Sequence, residues 1–337
     1  MKDERILISH GSGGKKSQEL TERIFLKYFN DPALLLMNDQ AVMDIDAKKI
    51  AISTDTYTID PIFFPGGNIG SLSVHGTVND VAMSGATPVA MSAGFILEEG
   101  LMLSDLEKIA ESMSVAAGEA GVRIVTADTK VVARGAVDRI FINTTGIGIL
   151  DGKTNISGQA AKIGDRVILS GTIGDHGIAI ASSREGIEFS TPVVSDSASL
   201  NYLVQTLLEA VPEGVHVMRD PTRGGLATVL NEIASQSSVG ILIEEAKIPL
   251  KEAVIGACEL FGFDPLYLAN EGKMVAFVRE SDAEQALEAL KSHPLGRDAM
   301  IIGEVVDNHP SKVVLATLMG GRRLVDRLTG DMLPRIC

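Results

Sequence analysis

Short runs of aliphatic and β-branched residues alternate along this chain with longer stretches in which apolar residues recur at helical spacing. Between Lys15 and Phe29, the apolar side chains of Leu20, Ile24 and Tyr28 recur every four residues, which predicts an amphipathic helix. Alternating strands and helices build layered α/β or α+β folds. The pattern predicts helices over 15–29, 69–83, 104–120, 197–210, 223–236 and 281–292. It predicts strands over 34–37, 41–45, 49–53, 89–97, 123–125, 139–146, 165–170, 239–244, 273–279 and 300–306.

The length of the chain and one break in the pattern predict two domains. A chain of 337 residues is long for a single compact core. A polar, glycine-rich stretch over 151–164 interrupts the alternation and is typical of an interdomain connection. We therefore predict an N-terminal domain over 1–155 and a C-terminal domain over 156–325. Periodicity is lost over 326–337, where Gly330 and Pro334 occur, and this loss predicts a flexible C-terminal tail.

The charge of the chain argues against a nucleic-acid partner. Forty-four acidic side chains against thirty basic ones give a net charge of −14. The sequence has no Lys- or Arg-rich run that could bind a phosphate backbone. Aromatic residues make up only 4% of the chain, which leaves few platforms for stacking bases. An acidic protein that binds a nucleotide must do so through metal ions and local donors.

The sequence predicts a cytoplasmic protein. No stretch approaches the roughly 20 apolar residues that span a membrane, and Met1–Arg5 lacks the apolar core of a signal peptide. The two cysteines, Cys258 and Cys337, form neither a disulfide framework nor a metal-binding pattern. We expect Cys258 to be a core residue, because it lies in a helical pattern beside Ala257 and Leu260.

Glycines and aspartates mark candidate sites. Glycine clusters at 11–14 and 223–225 are typical of backbone held close to a phosphate, but they also occur in tight turns. Five aspartates lie at the ends of predicted elements, where carboxylates converge to hold Mg²⁺ or simply cap helices and turns. Spacing alone does not separate these readings. The five are Asp39, Asp55, Asp80, Asp128 and Asp220.

Six ordered motifs cover almost the whole chain. They are Asn38-Asp39; Ser53-Thr54-Asp55; Val78-Asn79-Asp80-Val81 with Gly85-Ala86-Thr87-Pro88; Asp128-Thr129-Lys130; Asp220-Pro221-Thr222-Arg223-Gly224-Gly225; and Asn270-Glu271-Gly272. This ordered set resembles the aminoimidazole ribonucleotide synthetase superfamily, which includes selenophosphate synthetase and thiamine-phosphate kinase. The opening Ser9–Lys15 and the final Pro334-Arg335-Ile336-Cys337 resemble, within it, the HypE family of hydrogenase maturation factors, the carbamoyl dehydratases.

The resemblance implies a fold and an assembly. The expected architecture is a two-domain, PurM-like α/β (α+β) fold. Its N-terminal mixed-sheet domain would bind ATP and form a homodimer, and its C-terminal domain would be an α/β sandwich.

The resemblance also implies an activity. A carbamoyl group would pass from the carbamoyltransferase HypF to the Cys337 thiol. ATP would then drive dehydration of the thiocarboxamide to a thiocyanate. The cyanide would go to iron on the HypC–HypD scaffold, for the active site of NiFe hydrogenase.

The resemblance assigns roles residue by residue. Cys337 would carry the reacting group, Glu271 would act as general base and Lys130 would stabilise the transferring phosphoryl oxygens. Four aspartates would hold Mg²⁺: Asp39, Asp55, Asp80 and Asp220. The expected nucleotide contacts are Gly11, Gly13, Gly14, Lys15, Asn79, Asp128 and Thr129. His10 and His75 receive no role.

Two alternatives stay open at this point. A selenophosphate synthetase-like phosphotransferase would share the ATP site, but such enzymes carry a reactive Cys or selenocysteine in the N-terminal glycine-rich loop, and this chain has none there. A non-catalytic maturation scaffold would dock its partners through the tail and would not need the full set of aspartates.

Overall fold

The structure is a computed structural model that describes residues 4–11, 15–35, 41, 43–47, 49–150, 155–186, 192–328, 333 and 335–337. Within these ranges, none of the helices is long and apolar enough to cross a membrane. The strands are β1 (Lys49–Tyr57), β2 (Phe63–Phe64), β3 (Gly67–Asn68), β4 (Thr87–Glu98), β5 (Arg123–Val132), β6 (Ile140–Leu150), β7 (Arg166–Leu169), β8 (Val215–Arg219), β9 (Gly240–Glu244), β10 (Val275–Val278), β11 (Met300–Val306), β12 (Val313–Ala316) and β13 (Arg322–Val325). The α-helices are α1 (Lys15–Leu20), α2 (Leu26–Tyr28), α3 (Pro32–Leu35), α4 (Ile69–Met83), α5 (Leu103–Ala120), α6 (Asp175–Glu185), α7 (Asn201–Ala210), α8 (Gly225–Ser237), α9 (Glu252–Phe261) and α10 (Ala283–Ser292). A π-helical turn, Thr21–Phe25, joins α1 to α2.

The first half of the chain forms a four-stranded mixed sheet in the order β1-β6-β4-β5. β4 and β5 are parallel, and the other pairs are antiparallel. Apolar residues of α4 and α5 join those of β4 and β6 in one buried core on one face of this sheet. The opposite face leaves Ile50, Ile52 and Ile96 exposed.

Helix α4 is central to the molecule. Asn68 caps its N-terminus, because its side-chain oxygen accepts hydrogen bonds from the amides of Gly70 and Ser71. Gly70 allows α5 to lie very close, since a Cβ there would be 2.4 Å from the carbonyl oxygen of Ile109. At its other end, Met83 is buried in a core built from the second half of the chain. The last turn of α4 therefore lies between the two halves.

The second half forms a seven-stranded sheet in the order β13-β12-β9-β11-β7-β10-β8. Its strands bury both faces. In β10, for example, Val275 and Phe277 pack in the core that contains α8, whereas Ala276 and Val278 pack in the core that contains α7 and α10. The sheet is thus sandwiched between helices, and the predicted α/β class is confirmed.

The predicted elements agree best with the structure where periodicity is strong. The helix over 69–83 and the strand over 300–306 match α4 and β11. The strand predicted over 34–37 is wrong in its described part, because residues 34–35 belong to the helix α3. The strand predicted over 41–45 is also wrong at the described residues 41 and 43–45. The predicted domain limits stay predictions, although the first sheet ends at Leu150 and the second begins at Arg166.

Candidate functional site

Three of the predicted carboxylates converge at the junction of the two halves. Asp55 lies on β1, Asp80 in the last turn of α4, and Asp220 directly after β8. Residues two apart on a strand share a face, so Ser53 and Asp55 both point towards α4. The Ser53 hydroxyl donates a 2.7 Å hydrogen bond to Asp80 Oδ2.

These carboxylates repel one another. Burial, followed by the charge of Asp80, raises the pKa of Asp55 and that of Asp220. The positive charge of Arg223 acts in the opposite direction and lowers the pKa of Asp55. A site that gathers several carboxylates is suited to bind a further cation.

Glu271 is the fourth carboxylate of this region, and its loop is fixed tightly. The Asn270 side chain accepts a 2.7 Å hydrogen bond from the Gly174 amide and donates to the Pro221 carbonyl at 2.9 Å. At Gly272 a Cβ would lie 1.8 Å from the Asp196 carbonyl oxygen, so only glycine fits. The sequence Asn270-Glu271-Gly272 is therefore required to hold Glu271 in place.

The carboxyl group of Glu271 is buried. Its Oε1 atom has no hydrogen-bond partner among the described residues. Burial, and then the charges of Asp220 and Asp196, hold the pKa of Glu271 well above its usual range. A buried carboxyl group with a raised pKa and an unused oxygen is a good proton acceptor for a bound substrate.

A cavity of about 700 Å³, here called the carboxylate cavity, opens beside these residues and is lined by Ser53, Asp80, Asp220 and Arg223. Hard carboxylate oxygens with mutual repulsion fit a magnesium ion. Among the described residues, however, no three His, Cys, Asp or Glu side chains already stand at metal-binding distances. Asp39, the remaining predicted ligand, lies outside the described residues.

The predicted nucleotide contacts Gly11, Asp128 and Thr129 come together elsewhere, with Lys130, in a cavity of about 290 Å³ at β5. The side chains of Asp128 and Lys130 are both largely exposed and lie 3.4 Å apart. Gly11 packs on β5 so closely that a Cβ would be 2.7 Å from the Val131 amide nitrogen. Gly13 and Gly14 lie outside the described residues, and Lys15 begins α1.

The strand order separates this β5 cavity from the carboxylates. Asp55 on β1 is opposite Thr144 on β6, which is opposite Ala93 on β4, which is opposite Ala127 on β5. Three strand spacings amount to about 14 Å along the sheet. Within one chain, Lys130 therefore does not reach the group formed by Asp55, Asp80 and Asp220, and its predicted catalytic role stays a prediction that needs a second copy of the chain.

Asn79, a predicted nucleotide contact, uses its side-chain amide to bridge two parts of the chain. Its amide nitrogen donates to the carbonyl oxygens of Ala198, at 3.0 Å, and Glu271, at 3.4 Å. Its oxygen accepts a 2.7 Å hydrogen bond from the Leu200 amide. The side chain is buried, and its predicted contact with the nucleotide stays a prediction. Asn79 joins α4 to the Glu271 loop.

The end of the chain is docked in the crevice between the two halves. The Thr58 amide donates a 3.0 Å hydrogen bond to the Cys337 carbonyl, and Arg335 Nε donates to the Thr58 carbonyl at 2.8 Å. Arg184 donates to the Arg335 carbonyl at 2.5 Å. The Ile336 side chain is buried in the core of the first half. The sequence predicts a flexible tail, and the structure shows the docked position of its described residues, 333 and 335–337.

Arg335 holds an unusual backbone conformation in this docked end. Its φ is +53°, in the left-handed region that non-glycine residues rarely adopt. Its side chain is fixed by a 2.6 Å ion pair with Asp138 as well as by Thr58. These two contacts compensate for the backbone conformation.

Cys337 lies in a cavity of about 370 Å³, here called the thiol cavity. Arg223 and Thr228 line both this cavity and the carboxylate cavity. The Arg223 side chain is exposed, and no described residue forms a hydrogen bond or ion pair with its guanidinium group. The structure thus places the Arg223 cation between the cavity of the terminal thiol and the cavity of the carboxylates.

Sequence reasoning missed Arg223, His176 and Arg184. Arg223 lies inside a quoted motif, Asp220–Gly225, so its position in a glycine-rich turn was the available signal. His176 and Arg184 contact the tail, which is about half the chain away in sequence, and no local pattern marks them. The prediction for Cys258 is confirmed, because it is buried in an apolar cluster and burial raises its pKa to about 11.

Two known domain families match the two halves of the chain separately. The AIR synthase related protein N-terminal domain matches residues 37–150, and the corresponding C-terminal domain matches residues 162–316. The carbamoyl dehydratase HypE of Bradyrhizobium diazoefficiens is 52% identical over 98% of this chain and 95% of its own length.

Solved structures agree with this match. The crystal structure of the hydrogenase maturation protein HypE in complex with ATP has a TM-score of 0.95 and 50% identity, covering 98% of this chain and 99% of that chain. A chain from the crystal structure of a HypE–HypF complex has a TM-score of 0.81 and 52% identity, covering 92% of this chain and 99% of that chain. The fold predicted from the resemblance is confirmed.

Proposed function

Because this chain belongs to the AIR synthase related family and, within it, to the HypE carbamoyl dehydratases, we propose that it uses ATP to dehydrate a carbamoyl group carried on the Cys337 thiol. The product would be a thiocyanate. The observation that carries this proposal is the docked chain end, since Cys337 lies in a cavity that shares Arg223 with the cavity of the carboxylates.

The chemistry requires an activated oxygen and the loss of two protons. The carbamoyl oxygen attacks the γ-phosphorus of ATP, and ADP leaves. The nitrogen then loses both protons, the carbon–oxygen bond breaks, and the oxygen departs with the phosphate. A carbon–nitrogen triple bond remains on sulfur. The sum is thiocarboxamide plus ATP giving thiocyanate, ADP and phosphate.

Glu271 is the proposed base for the nitrogen protons. Its raised pKa and its Oε1 atom, which has no hydrogen-bond partner in the described part of the chain, suit proton transfer at a buried position. The tight loop around Asn270 and Gly272 prevents Glu271 from turning away. Burial also keeps bulk water from the base, which protects the phosphorylated intermediate from hydrolysis.

Arg223 is the proposed binder of the transferring phosphoryl group. Its guanidinium group presents several donors in a planar fork that matches phosphate oxygens. Because it lines both cavities, it is suited to hold a phosphoryl group while the group passes from one cavity to the other. Asp55, Asp80 and Asp220, together with Asp39, would hold Mg²⁺, which would neutralise phosphate charge.

The exposed face of the first sheet supports the proposed homodimer. Ile50, Ile52 and Ile96 are 50%, 62% and 41% exposed on strands of this sheet. Several large apolar residues on one exposed sheet face are typical of a surface that another chain covers. A second copy would also offer its own Lys130 and Asp128, which one chain keeps away from its carboxylates.

The proposed partners follow from the need to load and unload the thiol. HypF, which one relative binds in a solved complex, would supply the carbamoyl group. The iron scaffold HypC–HypD would receive the cyanide. Both steps require Cys337 to leave the thiol cavity.

The test uses the full-length protein carbamoylated by HypF. On addition of Mg-ATP, mass spectrometry of the C-terminal peptide should show the loss of one water from the carbamoylated form, with ADP formed in equal amount. Cys337→Ala should show neither carbamoylation nor this loss. If the variant undergoes the same ATP-dependent mass change at another position, Cys337 is not the carrier.

A further inference from the structure

His176 makes a direct contact with the docked chain end. It lies in the first turn of α6 and is fully buried. Its Nε2 atom is 2.8 Å from the carbonyl oxygen of Ile336, the residue before Cys337. Its Nδ1 atom is 2.8 Å from the hydroxyl of Ser195, and the ring of Phe64 packs perpendicular to the imidazole. Both ring nitrogens are therefore occupied.

These partners fix the protonation state of the ring. A carbonyl oxygen only accepts hydrogen bonds, so Nε2 carries the hydrogen that is donated to Ile336. Nδ1 then accepts the hydrogen of the Ser195 hydroxyl. Burial lowers the pKa of His176, which keeps the ring neutral. A neutral ring with one fixed tautomer forms a directional hydrogen bond to the tail.

The Ser195 hydroxyl connects His176 to the rest of the site. It also accepts a 3.1 Å hydrogen bond from the Ser197 amide, and the Ser197 hydroxyl lies 2.9 Å from Nδ1 of His75 on α4. One residue further, the Ala198 amide donates to the Glu271 carbonyl. The segment 195–200 thus contacts α4, the Glu271 loop and, through His176, the chain end.

We propose that His176 is a positioning residue that holds the Ile336 carbonyl, and with it Cys337, in the thiol cavity for the ATP-dependent step. The effect on the ATP-dependent step rests on the proposed function, whereas the contact between His176 and the Ile336 carbonyl does not depend on it. Weakening the contact releases the thiol. The docked step then becomes slower, whereas steps that need the thiol outside the cavity do not.

A pair of amide variants separates the two hydrogen bonds of the ring. In His176→Gln the amide nitrogen can take the place of Nε2 and donate to Ile336. In His176→Asn the shorter amide reaches only the place of Nδ1, so the Ser195 contact is kept and the Ile336 contact is lost. The two variants differ by one methylene and each keeps a different one of the two hydrogen bonds, so comparing them shows which bond holds the tail.

The first measurement needs neither nucleotide nor a partner protein. Iodoacetamide alkylation of Cys337 is followed by mass spectrometry, with the buried Cys258 in the same chain as the internal reference. We expect His176→Asn to raise the ratio of the Cys337 rate to the Cys258 rate about tenfold, the effect of one buried hydrogen bond, and His176→Gln to stay near wild type. General unfolding would expose both cysteines and would not raise the ratio. A ratio at or below the wild-type value in His176→Asn overturns the proposal.

The second measurement separates this inference from the proposed function. In His176→Asn, ATP-dependent loss of water from carbamoylated Cys337 should slow about tenfold, whereas acceptance of the carbamoyl group from HypF should not slow. Equal slowing of both steps in His176→Asn contradicts a positioning role. If the wild-type protein itself loses no water, the proposed function fails, and the alkylation ratio still decides whether His176 holds the tail.

Discussion

Removal of one carboxylate from the site should stabilise the ligand-free protein. Asp80→Asn keeps the size of the side chain and leaves an oxygen to accept the Ser53 hydrogen bond. It removes the charge that raises the pKa values of Asp55 and Asp220. The native state of the variant therefore loses a repulsion that the unfolded chain does not have.

The magnitude follows from the position of the pair. Two unit charges about 4 Å apart interact by about 1 kcal/mol in water and by about 4 kcal/mol at the effective dielectric constant of a protein surface. Asp80 is exposed and Asp55 only partly buried, so solvent screens much of this repulsion. We expect the free energy of unfolding to rise by about 1–2 kcal/mol, which raises the Tm by a few degrees.

The dependence on pH identifies the cause. Because the pKa of Asp55 is higher in the folded state than in the unfolded state, wild-type stability falls as the pH rises from the unfolded value through the raised one. The gain from Asp80→Asn should therefore be present at about pH 8 and smaller at about pH 5. Thermal or urea unfolding without magnesium measures the stability gain at each pH. Asp298→Asn, at an exposed carboxylate outside the site, is the control. A variant less stable than wild type at both values, or a gain independent of pH, would refute the reasoning.

Three further results are expected. Glu271→Gln should bind ATP and unfold like wild type, because the amide keeps the size and shape of the carboxyl group, but water loss from carbamoylated Cys337 should slow about 10²–10⁴-fold. Single-turnover mass spectrometry measures this rate, and normal turnover would remove Glu271 from the mechanism. Arg223→Ala should lower kcat about 10²-fold with little change in stability, and an unchanged kcat would exclude it as the phosphoryl binder. Ile52→Glu should dissociate the dimer in sedimentation experiments, whereas Ile163→Glu, at another exposed apolar position, should not. A dimer that survives Ile52→Glu would use a different surface.

Local patterns predicted the parts of the fold that depend on local physics. The helix over 69–83 was predictable, because its run of apolar and small residues is longer than most strands. The aspartates at element ends were predictable as a group. That Asp128 and Lys130 lie three strands away from Asp55 was not, since the order β1-β6-β4-β5 is set by long-range pairing. His176 was not predictable either, because its partner, the carbonyl of Ile336, is far away in the sequence.

The left-handed backbone at Arg335 has a consequence for how the chain end exchanges between positions. An L-residue pays about 1 kcal/mol or more for this conformation, and the cost arises only while the end is docked with φ at +53°. The tail is in effect a tethered ligand of its own crevice, present at a high local concentration. The strained residue lowers the equilibrium constant for docking in that crevice about fivefold relative to a relaxed backbone. A partner protein that captures the thiol therefore competes with a weaker docking of the tail in its own crevice.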